Sequence, residues 1–421
     1  MSPMPATSTM AALGNRAKAA ARVLAGTSTA AKDAGLLAAA ELLVERTDEV
    51  LAANQLDVER AEAANASPTV VDRLRLSASR VESMANGLRK VAALADPVGE
   101  VADGWVRPNG LRVRRVRVPL GVVAIVYENR PNVTSDAAGL CVKAGNAAFL
   151  RGSSGAISSN IAVAAALREG FVKAGLPADS IVLVEDTSHE AAVEFMRLRG
   201  VIDCLIPRGG PSLIASVLEN ATVPYVIDGD GNCHVYVDAT ASLPKAAEIV
   251  VNAKVQRPSV CNAAESLLVH RSIAAPFLKR VERGLEGVEL VGDEETRAIL
   301  GSDRVGIATD EDYATEFLAL KLAVKVVGDV DEAIDHIARF GSGHSEAILT
   351  GSIDAATRFT REVDAAAVLV NASTRFVDGE ELGFGAEIGI STQKLHARGP
   401  MGLRELTTLK WVIEGDGHIR T

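Results

Sequence analysis

Four cysteines carry the most nucleophilic side chains of this 421-residue chain, and their sequence contexts differ. Cys141 lies in an alanine-rich run and Cys204 in the apolar segment Val201-Ile-Asp-Cys-Leu-Ile-Pro207, so both are predicted to pack in a core. Cys233 follows a glycine-rich turn and enters a predicted strand. We interpret it as a buried, inert thiol, with contact to a ligand as the less favoured alternative.

Cys261 is set in a different kind of segment. It ends the polar stretch Val255-Gln-Arg-Pro-Ser-Val-Cys261, between a predicted helix and a predicted strand at Glu265–Val269. Arg257 and the backbone N–H groups of this stretch would favour a thiolate, the form of cysteine that attacks an electrophile. On these residues alone, a nucleophilic Cys261 and a structural one are equally supported.

Several familiar catalytic motifs are missing. The sequence has no Gly-x-Gly-x-x-Gly after its first predicted buried strand and no Gly-Lys-Ser/Thr, so neither a standard dinucleotide loop nor a P-loop is predicted. It also lacks His-Glu-x-x-His, Cys-x-x-Cys and Gly-x-Ser-x-Gly. Metal catalysis and serine hydrolysis are therefore disfavoured, and no metal site is predicted.

Composition and charge exclude other functions. The 44 Lys+Arg against 54 Asp+Glu give a net charge of −10, and no basic run is present to neutralise nucleic-acid phosphates. The longest apolar runs, such as Gly121–Val126, fall far short of the roughly 20 residues that span a bilayer. Met1–Ala12 lacks the features of a secretory signal, and the cysteine usage suits a reducing compartment. We expect a cytoplasmic enzyme that binds neither nucleic acid nor membranes.

The elements that must position Cys261 begin with a helical region. Apolar residues recur at helical spacing in Lys18–Arg46, and Thr47 is the predicted N-cap of the next helix. Ser67 and Ser77 are predicted to open two more helices, the second ending near Leu94.

Two strands follow, Val98–Val106 and Leu111–Val118, with Asn109-Gly110 in the turn of a predicted hairpin. The alternation of apolar residues and arginines in the second strand is interrupted at Arg114-Arg115, which predicts a bulge. Its arginines at 112, 114, 115 and 117 are interpreted as solvated or subunit-facing, with a phosphate-binding patch as the less favoured alternative.

From Leu120 onward, short apolar strands alternate with helices. This βαβα order predicts an α/β fold with a mostly parallel sheet and helices on both faces, and a second set of such elements begins near Ala246. The predicted strands of the first set are Gly121–Tyr127, Ala147–Arg151, Ile181–Glu185, Val201–Pro207 and Tyr225–Asp228. In the second set, Ala347–Thr350 and Val368–Asn371 join the strand at Glu265–Val269.

Long motifs in the chain resemble the aldehyde dehydrogenase superfamily. They are the stretch from Pro119 to Pro131, the stretch from Lys143 to Ser153, the Cys261 segment, and Glu381-Leu-Gly-Phe-Gly-Ala-Glu-Ile-Gly-Ile-Ser391. The forms Tyr127-Glu-Asn-Arg-Pro131, Val255-Gln-Arg-Pro-Ser-Val-Cys-Asn262 and His396-Ala-Arg-Gly-Pro-Met-Gly-Leu403 resemble one branch, the γ-glutamyl phosphate reductases. The resemblance extends over nearly the whole chain.

The resemblance implies a Rossmann-type cofactor domain, an α/β catalytic domain and a small β element for oligomerisation. We assign residues 1–97 and 119–245 to the NADPH-binding domain, and 246–404 to the catalytic domain. Residues 98–118 and 405–421 would form the oligomerisation hairpin and terminal strand of a homo-oligomer.

The resemblance also implies a reaction. It is the NADPH-dependent reduction of L-glutamyl 5-phosphate to L-glutamate 5-semialdehyde, with release of phosphate, through a cysteinyl thioester, in proline biosynthesis. The alternative is another acyl-phosphate or aldehyde oxidoreductase of the superfamily, and a non-catalytic binder of the same fold is disfavoured. The glutamate kinase that supplies the labile acyl phosphate is a candidate partner.

Individual roles follow from the matching motifs. The resemblance places Cys261 at the family's nucleophile and Asn129 at its oxyanion-stabilising asparagine. Where the superfamily has Lys-Pro-Ser-Glu, this chain has Arg151-Gly152-Ser153, and Arg151 is predicted to bind the 2′-phosphate of NADPH. The alternative for Arg151 is an ion pair with a neighbouring carboxylate.

Further cofactor and substrate residues are predicted in the same way. The turn Pro207-Arg208-Gly209-Gly210 would lie beside the cofactor diphosphate. Glu316 would hold the nicotinamide ribose, with a helix-surface carboxylate as the alternative. Candidates for the charged ends of the substrate are Arg130, Arg257, Ser345 and Arg375.

One departure from the superfamily is informative. Its aldehyde-oxidising members use a glutamate to activate water against the thioester, and Asp228 stands at that position here, one methylene shorter. A reductase that consumes an acyl phosphate must avoid hydrolysis, so this departure agrees with the reductase branch.

Overall fold

The computed structural model describes residues 9–420, and most of the N-terminal stretch Met1–Ala12 lies outside them. Contacts within the chain define two compact units. Unit 1 runs to Ile227 and also includes Phe384–Gly389 and the segment from Met401 onward, while unit 2 consists of Asp228–Gly383 and Ile390–Pro400. Among residues 9–420, no helix is both long and apolar enough to cross a membrane.

The helices in chain order are α1 Met10–Leu24, α2 Thr29–Glu45, α3 Thr47–Ala63, α4 Pro68–Leu74, α5 Ala78–Ala93, α6 Asn132–Lys143, α7 Ile157–Lys173, α8 His189–Met196, α9 Pro211–Asn220, α10 Leu243–Val255, α11 Ala274–Val281, α12 Glu294–Leu300, α13 Asp310–Ala314, α14 Val330–Phe340 and α15 Ile353–Glu362. The strands are β1 Val101–Val106, β2 Arg112–Pro119, β3 Val122–Tyr127, β4 Ala147–Gly152, β5 Ile181–Leu183, β6 Cys204–Arg208, β7 Cys233–Val237, β8 Ala264–His270, β9 Glu289–Gly292, β10 Val305–Ile307, β11 Lys321–Val327, β12 Ser345–Leu349, β13 Ala367–Val370, β14 Ile390–Ser391, β15 Gly399–Pro400 and β16 Thr407–Glu414.

The N-terminal helices begin largely where the sequence predicts. The hydroxyls of Ser67 and Ser77 accept backbone N–H groups at the starts of α4 and α5. The predicted single helix over Lys18–Arg46 is wrong, because α1 ends before Ser28 and that serine caps a new helix, α2. The predicted cap at Thr47 is also wrong, since its hydroxyl donates back to the carbonyl of Val44.

The predicted hairpin forms a three-stranded antiparallel sheet in the order β1-β2-β16. The bulge lies in β1, between Val101 and Asp103, and not at Arg114-Arg115, where the sequence predicts it. β2 itself remains in regular register with β16 over its whole length. Three of its four arginines make ion pairs, which are Arg114–Glu414, Arg115–Asp103 and Arg117–Glu100.

A four-stranded parallel sheet, in the order β5-β4-β3-β6, forms the core of unit 1. All six residues of β3 are buried, which explains its continuous apolar sequence. The chain moves from β3 through β4 to β5 and then returns to the other side of β3 with β6. In open α/β sheets, ligands bind outside the carboxyl ends of strands at such a reversal. The predicted strand at Tyr225–Asp228 does not form, and its residues make only two isolated bridges, Tyr225 with Leu205 and Asp228 with Ser391.

Unit 2 contains a seven-stranded parallel sheet in the order β10-β9-β11-β8-β7-β12-β13. Successive residues of its central strands belong to two different apolar clusters, as a period of two requires. Val235 and Leu267 pack with α10 and α11, whereas Tyr236 and Leu268 pack with α14 and α15. The α/β fold class predicted from the alternating elements is thus observed.

The boundaries between the units differ from the predicted domains in several segments. Residues 228–245 belong to unit 2, because β7 pairs with β8 and β12 in its sheet. Residues 384–389 and 401–404 belong to unit 1. The local sequence around β7 predicts a strand correctly but holds no information about which sheet that strand joins.

Candidate active site

Burial separates Cys261 from the other three cysteines. Cys261 lies in a turn just before β8 and is partly exposed, whereas Cys141, Cys204 and Cys233 are buried. Burial raises the pKa of Cys204 to about 12 and raises the pKa values of Cys141 and Cys233 further above the usual range. These three thiols stay protonated at neutral pH and are poor nucleophiles.

The turn that carries Cys261 packs directly against another stretch of backbone. A Cβ built on Gly231 would lie 1.7 Å from the carbonyl oxygen of Cys261, so only glycine fits there. The thiol of Cys233 donates to the same oxygen at 3.1 Å. The sequence does not indicate this role of Gly231, because Asp230-Gly-Asn232 resembles any exposed turn.

Residues after Cys261 hold a second segment in place. The side-chain amide of Asn262 donates to the carbonyl of Val377 at 2.9 Å, and the hydroxyl of Thr374 donates to the carbonyl of Asn262 at 2.7 Å. These two bonds fix both ends of a short helical turn, Thr374–Phe376, that contains Arg375. The chain thereby ties Arg375 to the segment of the predicted nucleophile.

Two predicted substrate residues, Arg257 and Arg375, influence each other. The Nε of Arg375 donates to the side chain of Gln256 at 2.7 Å. Burial lowers the pKa of Arg375, and the positive charge of Arg257 lowers it further, while Cys261 acts in the opposite direction. The structure therefore brings two cations together in the environment of Cys261.

The other two substrate candidates are Ser345 and Arg130. Ser345 begins β12, is buried, and its hydroxyl is 2.7 Å from Nδ1 of His344. Arg130 is exposed and belongs to unit 1, in the segment between β3 and α6.

Glu316 lies in the loop after α13 and not on a helix, so the helix-surface alternative is wrong. Its carboxylate accepts the backbone N–H of Gly231 at 2.9 Å. Burial is the largest cause of the raised pKa of Glu316. The glycine that packs against Cys261 therefore also holds Glu316.

A buried ion pair supports the Glu316 loop. Glu265, at the start of β8, pairs with Lys254, and both side chains are fully buried. The other carboxylate oxygen of Glu265 accepts the N–H of Leu318 at 3.1 Å, where the backbone φ is +52°. Burial raises the pKa of Glu265 to about 7, in spite of the opposing charge of Lys254.

Asp228, which the resemblance places at the position of the water-activating glutamate, is hydrogen-bonded to the backbone. One of its carboxylate oxygens accepts the N–H of Ile390 at 2.8 Å, and Asp228 forms an isolated antiparallel bridge with Ser391. This carboxylate helps to hold β14 within unit 2.

In unit 1, the predicted cofactor residues lie at or just after the ends of β4 and β6, the two strands that flank β3. Tyr127 at the end of β3 is in register with Gly152 of β4 and with Arg208 of β6. The segments that follow these strands therefore meet at one edge of the sheet. They are residues 128–130, 153–155 and 209–210.

Glu128 is a residue of this edge that sequence analysis missed. Its Oε2 accepts the N–H of Gly210 at 3.0 Å, and its own N–H donates to the carbonyl of Arg208. A Cβ on Gly209 would lie 2.6 Å from the same Oε2. Glu128 therefore holds the Arg208–Gly210 turn against the end of β3.

Arg151 is bound mainly by backbone oxygens. Its Nη2 donates to the carbonyls of Thr187 and Ser188, each at 2.8 Å. Burial lowers the pKa of Arg151, and the charge of Asp186 opposes this change. Its buried Nε has no hydrogen-bond partner, so the guanidinium keeps donor capacity toward an anion. This donor set fits a phosphate group of a dinucleotide.

Comparison with known proteins agrees with this geometry. The family model described as "Aldehyde dehydrogenase family" matches residues 5–302. The chain belongs to the aldehyde dehydrogenase family, whose members use nicotinamide cofactors.

Its more similar relatives define a branch of that family. The chain is 54% identical over 407 residues to the gamma-glutamyl phosphate reductase of Caldanaerobacter subterraneus subsp. tengcongensis, covering 96% of this chain and 98% of the relative. The solved structure of gamma-glutamyl phosphate reductase from Thermotoga maritima is 49% identical, with a TM-score of 0.95, and the match covers 97% and 99% of the two chains. An engineered glycolyl-CoA reductase solved with bound NADP+ shares only the fold, at 16% identity and a TM-score of 0.68 over 96% and 94% of the chains.

These findings confirm the resemblance drawn from the motifs. The predicted family and fold class are confirmed by the family model and by the solved structures. The roles of single residues and the domain bounds are not tested by them and stay predictions.

Proposed function

We propose that this chain reduces L-glutamyl 5-phosphate to L-glutamate 5-semialdehyde with NADPH and releases phosphate, as a step of proline biosynthesis. One observation carries the proposal. In a chain of this branch, Cys261 is the cysteine that is partly exposed, and its turn is fixed by backbone contact with Gly231. A fixed, accessible thiol is what covalent acyl transfer needs.

Cys261 acts first, as the nucleophile. Its thiolate attacks the γ-carbonyl carbon, a C–S bond forms, and the C–O bond to phosphate breaks with the electron pair leaving on the phosphate. The side-chain N–H group of Asn129 stabilises the oxyanion that forms on the carbonyl oxygen. When bound, the nicotinamide cofactor supplies the hydride that reduces the thioester. Cys261 is then regenerated as the aldehyde departs.

Arg257 and Arg375 bind the phosphate of the substrate in this proposal. Burial is the largest cause of the lowered pKa of Arg375, and repulsion by the positive charge of Arg257 adds to it. An incoming phosphate, with close to two negative charges, removes that repulsion and accepts hydrogen bonds from both groups. Both residues lie on segments joined to the Cys261 turn, through Gln256 and through Asn262.

Asp228 does not act as a general base in this mechanism. Its carboxylate is engaged by the N–H of Ile390, which makes it a poor proton acceptor for water. An acyl enzyme without a water-activating base keeps its thioester for reduction. This is the behaviour that a reductase of an activated acid needs.

Both units contain residues that are predicted to bind NADPH. In unit 1, the candidates are Arg151, Gly152, Ser153 and the turn Pro207-Arg208-Gly209-Gly210, and in unit 2 the candidate is Glu316. A 2′-phosphate distinguishes NADPH from NADH, and Arg151 is the cation proposed to bind it. The N–H donor that Arg151 has left unpaired supports this role.

The sheet β1-β2-β16 is the proposed contact to other copies of the chain. Trp105, Trp411 and Ile413 are 42%, 54% and 62% exposed, and the register of the three strands places them on one face. The two tryptophan rings meet edge to face at 5.7 Å. An exposed apolar face of this kind is typical of a subunit contact. We also propose a cytoplasmic location and association with the glutamate kinase that makes the labile substrate.

The test is an assay in the direction of aldehyde oxidation. We expect NADP+ to be reduced in the presence of glutamate semialdehyde only when inorganic phosphate is added. Cys261→Ala should remove this activity, while Cys204→Ala, a matched control at a buried cysteine, should keep it. Activity of Cys261→Ala near that of the unaltered enzyme would show that the covalent mechanism is wrong. A clear preference for another aldehyde would favour a different oxidoreductase of the family.

A further inference from the structure

A single hydroxyl group holds Asn129. This residue follows β3 with a backbone φ of +37°, in the left-handed region that residues other than glycine seldom adopt. The Oγ of Ser153 accepts a hydrogen bond from the backbone N–H of Asn129 at 3.1 Å. The same Oγ donates to the side-chain oxygen Oδ1 of Asn129 at 2.8 Å. Ser153 therefore bonds both the unusual backbone and the amide of this residue.

The second bond decides which end of the amide can act on a substrate. An asparagine side chain has an acceptor end, Oδ1, and a donor end, Nδ2, with two N–H bonds. Because Ser153 donates to Oδ1, the donor end is the one left for another group. Only that orientation helps the proposed reaction, since an oxyanion is stabilised by N–H donors and repelled by a carbonyl oxygen.

The loop after β4 also leaves space for this arrangement. A Cβ built on Gly155 would lie 2.4 Å from Oδ1 of Asn129 and 3.4 Å from its Cγ. The loop thus supplies a hydroxyl that bonds Oδ1 and, two residues later, a glycine whose missing side chain leaves Oδ1 room.

We propose that Ser153 is a positioning residue for the reaction. It orients Asn129 so that the side-chain N–H group of Asn129 can donate a hydrogen bond to the oxyanion. The resemblance assigns Ser153 to the cofactor instead, and the positioning role replaces Ser153 as a candidate for binding NADPH. The hydroxyl has one proton, which is donated to Oδ1, and it already accepts the N–H of Asn129. The proposal rests on the proposed function, because that function gives Asn129 the oxyanion role.

The first test compares Ser153→Ala with Ser154→Ala, a control at the exposed neighbouring serine. In the phosphate-dependent assay, Ser153→Ala should lower kcat by roughly 10- to 100-fold, a fraction of the effect of losing the oxyanion donor itself. Its KM for NADP+ should stay within about twofold of the unaltered value, because no cofactor contact is lost. Ser154→Ala should leave both constants unchanged. A raised KM for NADP+ at unchanged kcat would show that Ser153 is a cofactor residue.

A second pair of variants separates this proposal from the proposed function. Asn129→Gly tolerates the positive φ without help but has no amide, so kcat should fall by roughly 10²- to 10³-fold. Adding Ser153→Ala to that variant should lower kcat no further, whereas an additive loss would contradict the positioning role. An unchanged kcat for Asn129→Gly would overturn the mechanism and this proposal together. If Asn129→Gly lowers kcat as expected but Ser153→Ala leaves kcat unchanged, the positioning role is wrong and the proposed function still stands.

Gly155→Ala provides an independent check if Ser153→Ala folds poorly. Its new methyl group would displace Oδ1 without removing any hydrogen-bond donor. We expect the same loss of kcat at an unchanged KM for NADP+, with a circular dichroism spectrum like that of the unaltered protein. Full activity of a folded Gly155→Ala variant would contradict the proposal.

Discussion

The sheet edge of unit 1 and the Cys261 turn of unit 2 are built in different ways. At the sheet edge, the predicted site residues follow β3, β4 and β6, so the register of adjacent parallel strands brings them together. The Cys261 turn receives its support from distant segments, at Gly231, Cys233 and Thr374. The arrangement of the predicted residues in unit 1 thus derives from regular secondary structure, whereas that of the Cys261 turn in unit 2 derives from single contacts that each depend on one residue.

The largest effect is expected from Gly231→Ala, which disrupts the backbone contact that supports the Cys261 turn. Gly231→Ala would place a methyl group 1.7 Å from the carbonyl oxygen of Cys261, so the turn and the bond to Glu316 must both shift. We expect activity to fall below detection in the phosphate-dependent assay. Gly26→Ala is the matched control in unit 1, because its φ is not positive and a Cβ there meets nothing closer than the carbonyl oxygen of Val23 at 3.8 Å. Wild-type activity of Gly231→Ala would show that the turn tolerates large movement.

The next effect concerns stability and pH in unit 2. Lys254→Met leaves the carboxyl of Glu265 buried without a cation, which costs about 3–5 kcal/mol when that group is ionised. The pKa of Glu265 is raised to about 7, so the folded state holds its proton more tightly than the unfolded state, where the pKa is near 4.5. The free energy of unfolding therefore falls as pH rises from about 4.5 to about 7, because Glu265 ionises more readily in the unfolded state. In the variant, Lys254 no longer offsets the cost of the buried negative charge.

The measurement is urea unfolding of Lys254→Met at pH 6 and pH 8. We expect the loss of stability to be small at pH 6, where Glu265 can remain protonated, and large at pH 8. The double variant Lys254→Met/Glu265→Leu should recover most of the stability at pH 8, since it buries no charge. Equal losses at both pH values would contradict the assigned titration of Glu265.

A smaller effect is expected for Arg375→Ala in unit 2. Its effects on the KM values for phosphate and for NADP+ distinguish a role in substrate binding from a role in cofactor binding. Arg375→Ala removes one of the two proposed phosphate ligands, and a charge-assisted hydrogen bond contributes about 1.5–3 kcal/mol. We expect the KM for inorganic phosphate to rise by about ten- to a hundredfold, with the KM for NADP+ unchanged. Arg361→Ala, at a 70% exposed guanidinium on α15, is the control. Equal increases in both constants would show that Arg375 acts on the shape of the site instead.

The smallest effect is expected at the sheet edge of unit 1. Arg151→Ala should raise the KM for NADPH by about tenfold, the lower end of the range for a charge-assisted pair. This is because its Nη2 is already used by the carbonyls of Thr187 and Ser188. The weaker reaction with NADH should change little. Similar losses with both cofactors would assign Arg151 to the support of that loop and not to the 2′-phosphate.

The elements that were predicted best are those whose pattern is contained in neighbouring residues. The buried strand β3, the caps at Ser67 and Ser77, and the hairpin turn at Asn109-Gly110 were all read from neighbouring residues. The bulge in β1 was misplaced, because a slipped pattern in one strand does not show which partner carries the extra residue. The predicted NADPH-binding domain extends to residue 245, whereas residues 228–245 lie in unit 2, because local sequence does not show which sheet a strand joins.

The sequence by itself determined the α/β fold class, the family and the distinctive setting of Cys261, because periodicity and motif order are properties of consecutive residues. Only the tertiary structure showed that Gly231 must be a glycine, that Glu128 holds the Arg208–Gly210 turn, and that Ser153 bonds Asn129. Each of these pairs is separated by more than twenty residues. Their contacts depend on how strands pair and turns pack, so no local pattern of residue types could have predicted them.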